Sequence, residues 1–223
     1  MNKIKLDYRL SEIASNVTGK VICDIGCDHG KLSYHLLNTG VVDFVYISDI
    51  SAPSLEKAIN LLNYNNLHKK YNAIVSDGFM AYPKDVKIDT AIISGMGGIE
   101  IKKILSNNEI CVKKYVLQPQ HNEYDLKVYL ITNGYNILKD YIIKQKDKFY
   151  NVIVCEKGER QYEEYELYFG KENFILNKPD FRAYLDFELD KTNKIVECVD
   201  ENKKIKLNKY LDLIAYAMSR LGD

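Results

Sequence analysis

Over roughly the first 160 residues, apolar positions alternate between two rhythms. Leu6, Leu10, Ile13, Ala14 and Val17 stand at helical spacing, and Thr18-Gly19 stops the pattern. Val21-Ile22-Cys23-Asp24-Ile25 is a short apolar run that ends in a glycine-bearing loop, which predicts a buried strand. A helix is predicted over 32–37, closed near Thr39-Gly40. The alternation then repeats. Strands are predicted at 44–48, 73–75, 90–93 and 115–117. Helices are predicted at 54–62 (started by Ser51 or Pro53), at 99–105 behind Gly97-Gly98, and at 124–131 before Asn133-Gly134. Strands at 141–143 and 152–154, joined by Lys146-Asp147-Lys148, close the series as an antiparallel pair. Strands alternating with helices predict an α/β fold, a mostly parallel sheet with helices on both faces.

Around residues 156–160 the pattern changes, and no further strand is predicted. From Asp180, apolar residues recur at Phe181, Leu185, Leu189, Ile195, Val196 and Val199. Beyond the polar Asp200-Glu201-Asn202 they recur at Leu207, Leu211, Ile214, Met218 and Leu221, a heptad seam. Two helices joined by a short polar turn predict an antiparallel coiled-coil hairpin. The expected division is a domain over 1–157 and a small helical domain over 158–223.

Composition narrows the function classes. Lys and Arg total 31 and so do Asp and Glu, so bulk charge does not point to nucleic acid, although a local patch can still attract phosphate. Cys23, Cys27, Cys111, Cys155 and Cys198 are scattered without zinc-site or redox spacing, and no metal is expected. They read as reduced thiols, mostly small core residues. The opening MNKIKLDYRL has no apolar signal region, and no apolar run reaches the roughly 20 residues that span a bilayer. A cytoplasmic protein away from the membrane is expected, and a monomer rather than an oligomer.

The strongest local signal is Asp24-Ile25-Gly26-Cys27-Asp28-His29-Gly30, set between a predicted strand and helix. An open α/β sheet offers its ligand crevice at that edge. Gly26 would admit close backbone approach, and Asp24 could hold a cationic amine. The dinucleotide fingerprint fails because the middle glycine is missing and an acid intrudes, and no phosphate loop is present. The plain alternative is that Asp24 and Gly26 only make a tight turn. Two further acids argue against it. Asp49 ends the second strand, where a carboxylate can accept both ribose hydroxyls of an adenosine. Asp77, before Gly78, follows the third, where an acid can accept an adenine amino group. Three acids on three successive strands suit S-adenosylmethionine, a cationic nucleoside, better than a pyrophosphate. Ser94-Gly95-Met96-Gly97-Gly98 ends the fourth strand and leaves backbone groups open to a flat ring, or else is a flexible turn. Gln118-Pro119 ends the fifth, and the Gln118 amide could bond a base edge.

These residues carry a family resemblance. Arg9-Leu10 with Ile13-Ala14, DIGCDHGKL at 24–32, SDI at 48–50, SDG at 76–78, SGMGG at 94–98 and LQP at 117–119 resemble the TrmK family, bacterial methyltransferases acting on N1 of adenine 22 in tRNA. The resemblance covers nearly the whole chain, helical hairpin included. The chain departs from the family's usual Thr, Ala, Tyr and Pro at Cys27, Gly30, Lys31 and Ser33, and has Gln120 where Asn is common. The resemblance implies a Rossmann-like class I methyltransferase domain followed by the hairpin, with S-adenosylmethionine as cofactor and tRNA as partner. It implies cofactor contacts from Asp24, Gly26, Cys27, His29, Asp49, Ile50, Asp77, Gly78 and Met96. Asp28, the Gly95 carbonyl and Gln118 would serve the reaction. His29 could instead cap the helix or face substrate. Arg9 could touch RNA, close over the site, or be a solvated charge. Gly97, Gly98, Lys102 and Lys103 would meet substrate. Lys113, Lys114, Lys144, Lys146 and Lys148, or a stripe of Lys203, Lys204, Lys206 and Lys209, are further phosphate candidates.

Adenine N1 carries an in-plane lone pair that is unprotonated at neutral pH, so no strong base and no covalent nucleophile is expected. Positioning and acceptors that tolerate a cationic ring would carry catalysis, and a paired base would first leave its stack. The competing readings are a methyltransferase for another base, protein or small molecule, a non-catalytic RNA-binding protein of the same fold, and a dehydrogenase.

Overall fold

The computed structural model describes residues 4–176 and 179–221. In chain order the elements are α1 (Tyr8–Ser15), β1 (Val21–Ile25), α2 (Lys31–Asn38), β2 (Phe44–Asp49), α3 (Ala52–Tyr64), β3 (Tyr71–Val75), β4 (Lys87–Met96), α4 (Gly98–Ser106), β5 (Cys111–Pro119), α5 (Glu123–Thr132), β6 (Tyr135–Gln145) and β7 (Lys148–Lys157). Then follow α6 (Glu164–Phe169), α7 (Lys171–Leu176), α8 (Pro179–Val196) and α9 (Glu201–Leu221).

The boundaries follow local chemistry. Asp7 caps α1, its carboxylate accepting from the Leu10 N–H at 2.8 Å. Ser51 caps α3 and Pro53 sits in its first turn, where the missing N–H costs nothing. Of the two expected starters, the serine is the cap. β1 and the inner stretches of β4 (91–93) and β5 (115–117) are apolar runs because both faces are covered there.

The sheet order is β3-β2-β1-β4-β5-β7-β6. β1 pairs parallel with β2 and β4, β2 with β3, and β4 with β5, while β7 runs antiparallel to β5. The chain steps outward from β1 to β3, then returns to lay β4 on the other side of β1. That reversal opens a crevice above the carboxyl ends of β1 and β4. The register brings the strand ends level, with Ile25 opposite Ser48 and Asp49 opposite Val75. One apolar cluster anchors these elements, including Ile13, Ile22, Leu36, Val45, Leu62 and Ile92, all fully buried.

The chain divides into two compact units, residues 1–138 with 152–160, and residues 139–151 with 161–223. The outer half of the β6–β7 hairpin therefore groups with the C-terminal helices. In this second unit, Phe169, Phe181, Leu185, Ile214 and Ala217 form a separate core with Ile142. The helices also blunt the exposed edge of β6. Glu172, Asn173 and Asp180 side chains accept from the N–H groups of Asp140, Ile142 and Lys144 at 2.7, 2.9 and 2.9 Å, one every second residue along the edge. α8 and α9 pack together as predicted from their apolar spacing. The helices α6 and α7 were not predicted, because six residues each are too few to show a period. Among the described residues no helix is long and apolar enough to cross a membrane.

At the amino-terminal end of the sheet, Asp89 ties three segments. Its carboxylate accepts from the Lys20 and Val21 N–H groups at 2.8 and 3.1 Å and from Lys113 Nζ at 2.7 Å. The Lys113 bond, then the two backbone donors, hold its pKa down at about 2. A depressed carboxyl stabilises the native state above its unfolded pKa and loses that contribution as pH falls through its folded one. Asp89→Ala should cost about 1–2 kcal/mol in urea unfolding at pH 7, after discounting for solvent screening. The difference from wild type should shrink between about pH 4 and pH 2; a constant difference would assign it to packing instead.

Candidate active site

The loop after β1 is fastened to its neighbour strand. The Gly26 and Cys27 N–H groups both donate to the Ser48 carbonyl, at 2.8 and 3.0 Å, and Gly30 N–H closes back on the Cys27 carbonyl at 2.8 Å. Gly26 has φ 70, and a Cβ there would lie 2.2 Å from the Met96 methyl. No other residue meets both demands. Met96 thus buttresses the loop from behind, joining the SGMGG segment to the DIGCDHG segment.

Asp24 is buried at 4% exposure, with its Oδ2 accepting from Ser33 Oγ at 2.6 Å. Burial pushes its pKa up to about 6, opposed by the Ser33 bond and reinforced by the charge of Asp49. Asp49 ends β2 and accepts from the Ser51 and Asp28 N–H groups at 2.8 and 3.3 Å. A carboxylate has about four acceptor positions, so capacity remains. Asp77 stands two residues past β3, and one of its oxygens accepts from Lys103 Nζ at 2.7 Å. The three acids share the carboxyl rim of β1, β2 and β3. Ile50, beside Asp49, is 71% exposed, an apolar surface on that rim.

β4 supplies the opposite wall. Its pairing with β5 slips between Ser94 and Met96, so Gly95 stands out of register, a bulge of the kind that re-aims backbone beside sites. A side chain at position 95 would meet only the ends of Gln120 and Arg9, at 3.7 and 3.9 Å. Arg9 reaches across from α1 and donates to Gln118 Oε1 at 2.7 Å. Gln118 itself is fully buried, and its Nε2 donates to the Pro119 carbonyl at 2.6 Å.

A pocket of about 430 Å³ opens between the two walls, inside the usual range for small-molecule sites. Arg9, Asp24, Gly26, Cys27, Asp28, His29 and Gly95 line it, so seven of the sequence-predicted residues meet there. Asp49, Ile50, Asp77 and Gly78 continue the rim. Met96 lies behind the loop. Gly97 and Gly98 press against the 121–122 segment, where a Cβ would come within 2.5 Å of the His121 ring or the Asn122 carbonyl, so their glycines serve close packing. Gln118, expected at a base edge, holds Arg9 from inside, and Gln120 lines the pocket in its place. Lys103 is bound to Asp77, and Lys102 lies over the Tyr129 ring at 5.7 Å. Lys203, Lys204 and Lys209 pair with Asp200, Glu201 and Glu164. Pocket residues missed by sequence reasoning are Asp7, Leu10, Lys31, Leu32, Ser94 and Gln120. Ser33, which steadies Asp24, was missed as well. A small polar residue one helical turn from a strand-end acid carries no signal of its own.

Cys27 is buried, and desolvation with the charges of Asp24 and Asp49 pushes its thiol pKa well above the ordinary value, so it offers no thiolate. Among the described residues no group of three or more His, Cys, Asp or Glu could hold a metal.

A doubly wound sheet, with an acid at its first strand's carboxyl end and a glycine turn across the switch point, defines a Rossmann-like class I methyltransferase. Residues 22–217 match the family TrmK, tRNA (adenine(22)-N(1))-methyltransferase, and the chain belongs to that family. A candidate tRNA methyltransferase of Mycoplasma pneumoniae is 34% identical over 174 residues, 75% of this chain and 78% of its own. The Bacillus subtilis tRNA (adenine(22)-N(1))-methyltransferase is 26% identical over 164 residues, 72% of this chain and 68% of its own. The structure of Mycoplasma capricolum TrmK with S-adenosylhomocysteine superposes with a TM-score of 0.89 at 24% identity, covering 97% of this chain and 99% of that one. That likeness speaks for the fold.

Because the Asp24 pKa is raised, its ionisation costs native stability as pH rises from the unfolded value of 3.8 to about 6. Asp24→Asn keeps an acceptor for Ser33 and removes the buried charge. The ligand-free variant should be more stable than wild type by about 1–3 kcal/mol at pH 7.5, read as a higher melting temperature. The gain should vanish below about pH 4. An equal or lower melting temperature at pH 7.5 would contradict this account of the site.

Proposed function

We propose that this pocket carries out the family's reaction, methyl transfer from S-adenosylmethionine to N1 of adenine 22 in tRNA, with the residue roles that follow. The observation that carries it is Asp24, a desolvated acid with one oxygen satisfied by Ser33 and the other available in a 430 Å³ pocket. The donor set suits a cationic nucleoside. Asp24 would take the methionine ammonium, Asp49 the ribose hydroxyls, and Asp77 with Gly78 the adenine edge, with Ile50 against the ring face. Gly26, Cys27, His29 and Met96 shape the loop around it. Lys31, also in the pocket, and the α2 N-terminus offer positive charge to the methionine carboxylate.

The bound cofactor supplies a methyl group on a sulfonium. The protein's own work is to hold adenine N1 in line with it. As the N1–CH3 bond forms, the S–CH3 bond breaks, leaving S-adenosylhomocysteine and a cationic N1-methyladenine. No proton moves in that step, so neither a base nor the Cys27 thiol is used. Asp28 at the pocket mouth and the Gly95 carbonyl are the acceptors nearest the incoming base. Arg9 is positioned at the pocket wall by the Gln118 amide, and we assign its guanidinium to the substrate's phosphate backbone. Gly97 and Gly98 fix the wall that meets the substrate, and Lys102 and Lys103 on α4 extend a basic surface beside it. The enzyme acts as a cytoplasmic monomer without a metal, and α8 with α9, as a hairpin, offers tRNA a second surface.

Titration calorimetry with S-adenosylhomocysteine tests the cofactor roles. Asp24→Asn or Asp49→Ala should weaken binding about 10- to 100-fold, the worth of a charge-assisted hydrogen bond. For wild type, affinity should fall about tenfold per pH unit below about 6, as Asp24 takes a proton. Mass spectrometry of tRNA digests should then show N1-methyladenine at position 22, with Cys27→Ser retaining turnover. A methyl on another base would sink the substrate assignment while sparing the fold, and intact affinity in both acid variants would sink the cofactor roles.

A further inference from the structure

The structure assigns reading of the target base to Gln120: we propose that its side-chain amide grips the Hoogsteen edge of the target adenine, accepting from the 6-amino group and donating to N7. This rests on the adenine-N1 reaction given above and adds the residue that selects the base.

Three observations meet at position 120. The Gln120 backbone is pinned to the SGMGG turn, its N–H donating to the Met96 carbonyl at 2.9 Å. Its side chain lines the pocket, with Nε2 beside Gly95, where a Cβ would meet it at 3.7 Å. No hydrogen bond within the described residues engages that amide, in contrast to Gln118, whose two ends are both bound inside. Of the two glutamines in the LQPQ segment, only the second has a donor and an acceptor to offer a ligand.

The chemistry then selects an edge. N1 must face the methyl group, which leaves the 6-amino and N7 side of the ring for recognition. A carboxamide matches that pair bidentately, the pairing by which Asn and Gln select adenine. Guanine presents two acceptors there and leaves the Gln120 carbonyl facing an oxygen. The contact also strengthens as the reaction proceeds. Methylation at N1 spreads positive charge onto the 6-amino group, so its N–H becomes a better donor to Oε1 in the transition state than in the ground state.

The test uses tRNA carrying adenosine or 7-deazaadenosine at position 22, with wild type and Gln120→Leu. Replacing N7 by CH removes one acceptor and makes N1 more basic, so intrinsic reactivity alone predicts an equal or faster rate. With Gln120 bonded to N7, wild type should instead lose about tenfold in kcat/KM on the deaza substrate. Gln120→Leu should be slower on adenosine by 10-fold or more, chiefly in kcat, and indifferent to the deaza change. Equal wild-type rates on both substrates would overturn the proposal, and so would a Leu variant that keeps the wild-type preference. The wild-type comparison stands even if the variant fails to fold, and an unchanged affinity for S-adenosylhomocysteine shows that the variant's pocket is intact. Absence of methylation of either tRNA by wild type would overturn the underlying reaction, and this inference with it.

Discussion

The site depends on one unfavourable thing held in place: a carboxylate stripped of water. Asp24 sits where β1 meets the crevice, flanked by buried strands, with a single serine hydroxyl bonded to it and a second acid close enough to add repulsion. Such a group takes a proton more readily than a solvated carboxylate does. A cationic ligand relieves it. The instability is local to the ligand site and is carried by an apolar core large enough to bear it. Binding a cation here therefore returns energy that folding spent.

The topology explains why the rest of the machinery gathers around that acid. Parallel pairing forces every strand of the β3-β2-β1-β4-β5 sequence to end on the same rim. The reversal between β1 and β4 leaves a gap that neither helix layer covers. Loops from both strands must turn there, and the two glycine-bearing turns touch through Met96 and Gly26. Cofactor wall and substrate wall are thus one mechanical unit. A change at position 96 or 26 would disturb both, whereas Lys103 or Asp77 can shift at the rim without reaching Gly95.

How much of this was legible in the sequence varied with the range of the interaction. The period of apolar residues found each strand and helix from α1 to β7, though only 90–93 of β4, 115–117 of β5 and 141–143 of β6, because burial on two faces or one stripe is written in consecutive residues and the polar strand ends carry no such mark. The strand-end acids were legible for a similar reason, since an acid directly after an apolar run has few structural uses. Partnerships across the chain were not. Gln118 and Gln120 are equivalent on paper, and only the folded chain shows that Arg9, 109 positions before Gln118, occupies the first and leaves the second. Lys103 was read as a substrate contact, yet its nearest anion is Asp77. The helix α7 falls in the same class, because its Glu172 and Asn173 answer a distant β6 edge needing acceptors for its N–H groups.

The charge accounting of the pocket separates binding from catalysis. Methyl transfer from a sulfonium to a neutral ring nitrogen creates no net charge; it moves one positive charge from sulfur to the base. A carboxylate that senses both positions alike stabilises the complex before and after transfer to the same degree, which tightens binding and leaves the barrier unchanged. Asp24, bonded to Ser33 and assigned to the cofactor, likewise serves binding and does not lower the barrier. So does Asp49, which is anchored to the Ser51 and Asp28 N–H groups. Only groups markedly nearer the base than the sulfur lower the barrier, and in the proposed assignment these are the Asp28 carboxylate at the pocket mouth and two dipoles of the far wall, the Gly95 carbonyl and the Gln120 amide. The proposed roles divide accordingly into acids that hold the cofactor and acceptors that meet the base. That division also accounts for a pocket so acidic on one side having no need of a general base.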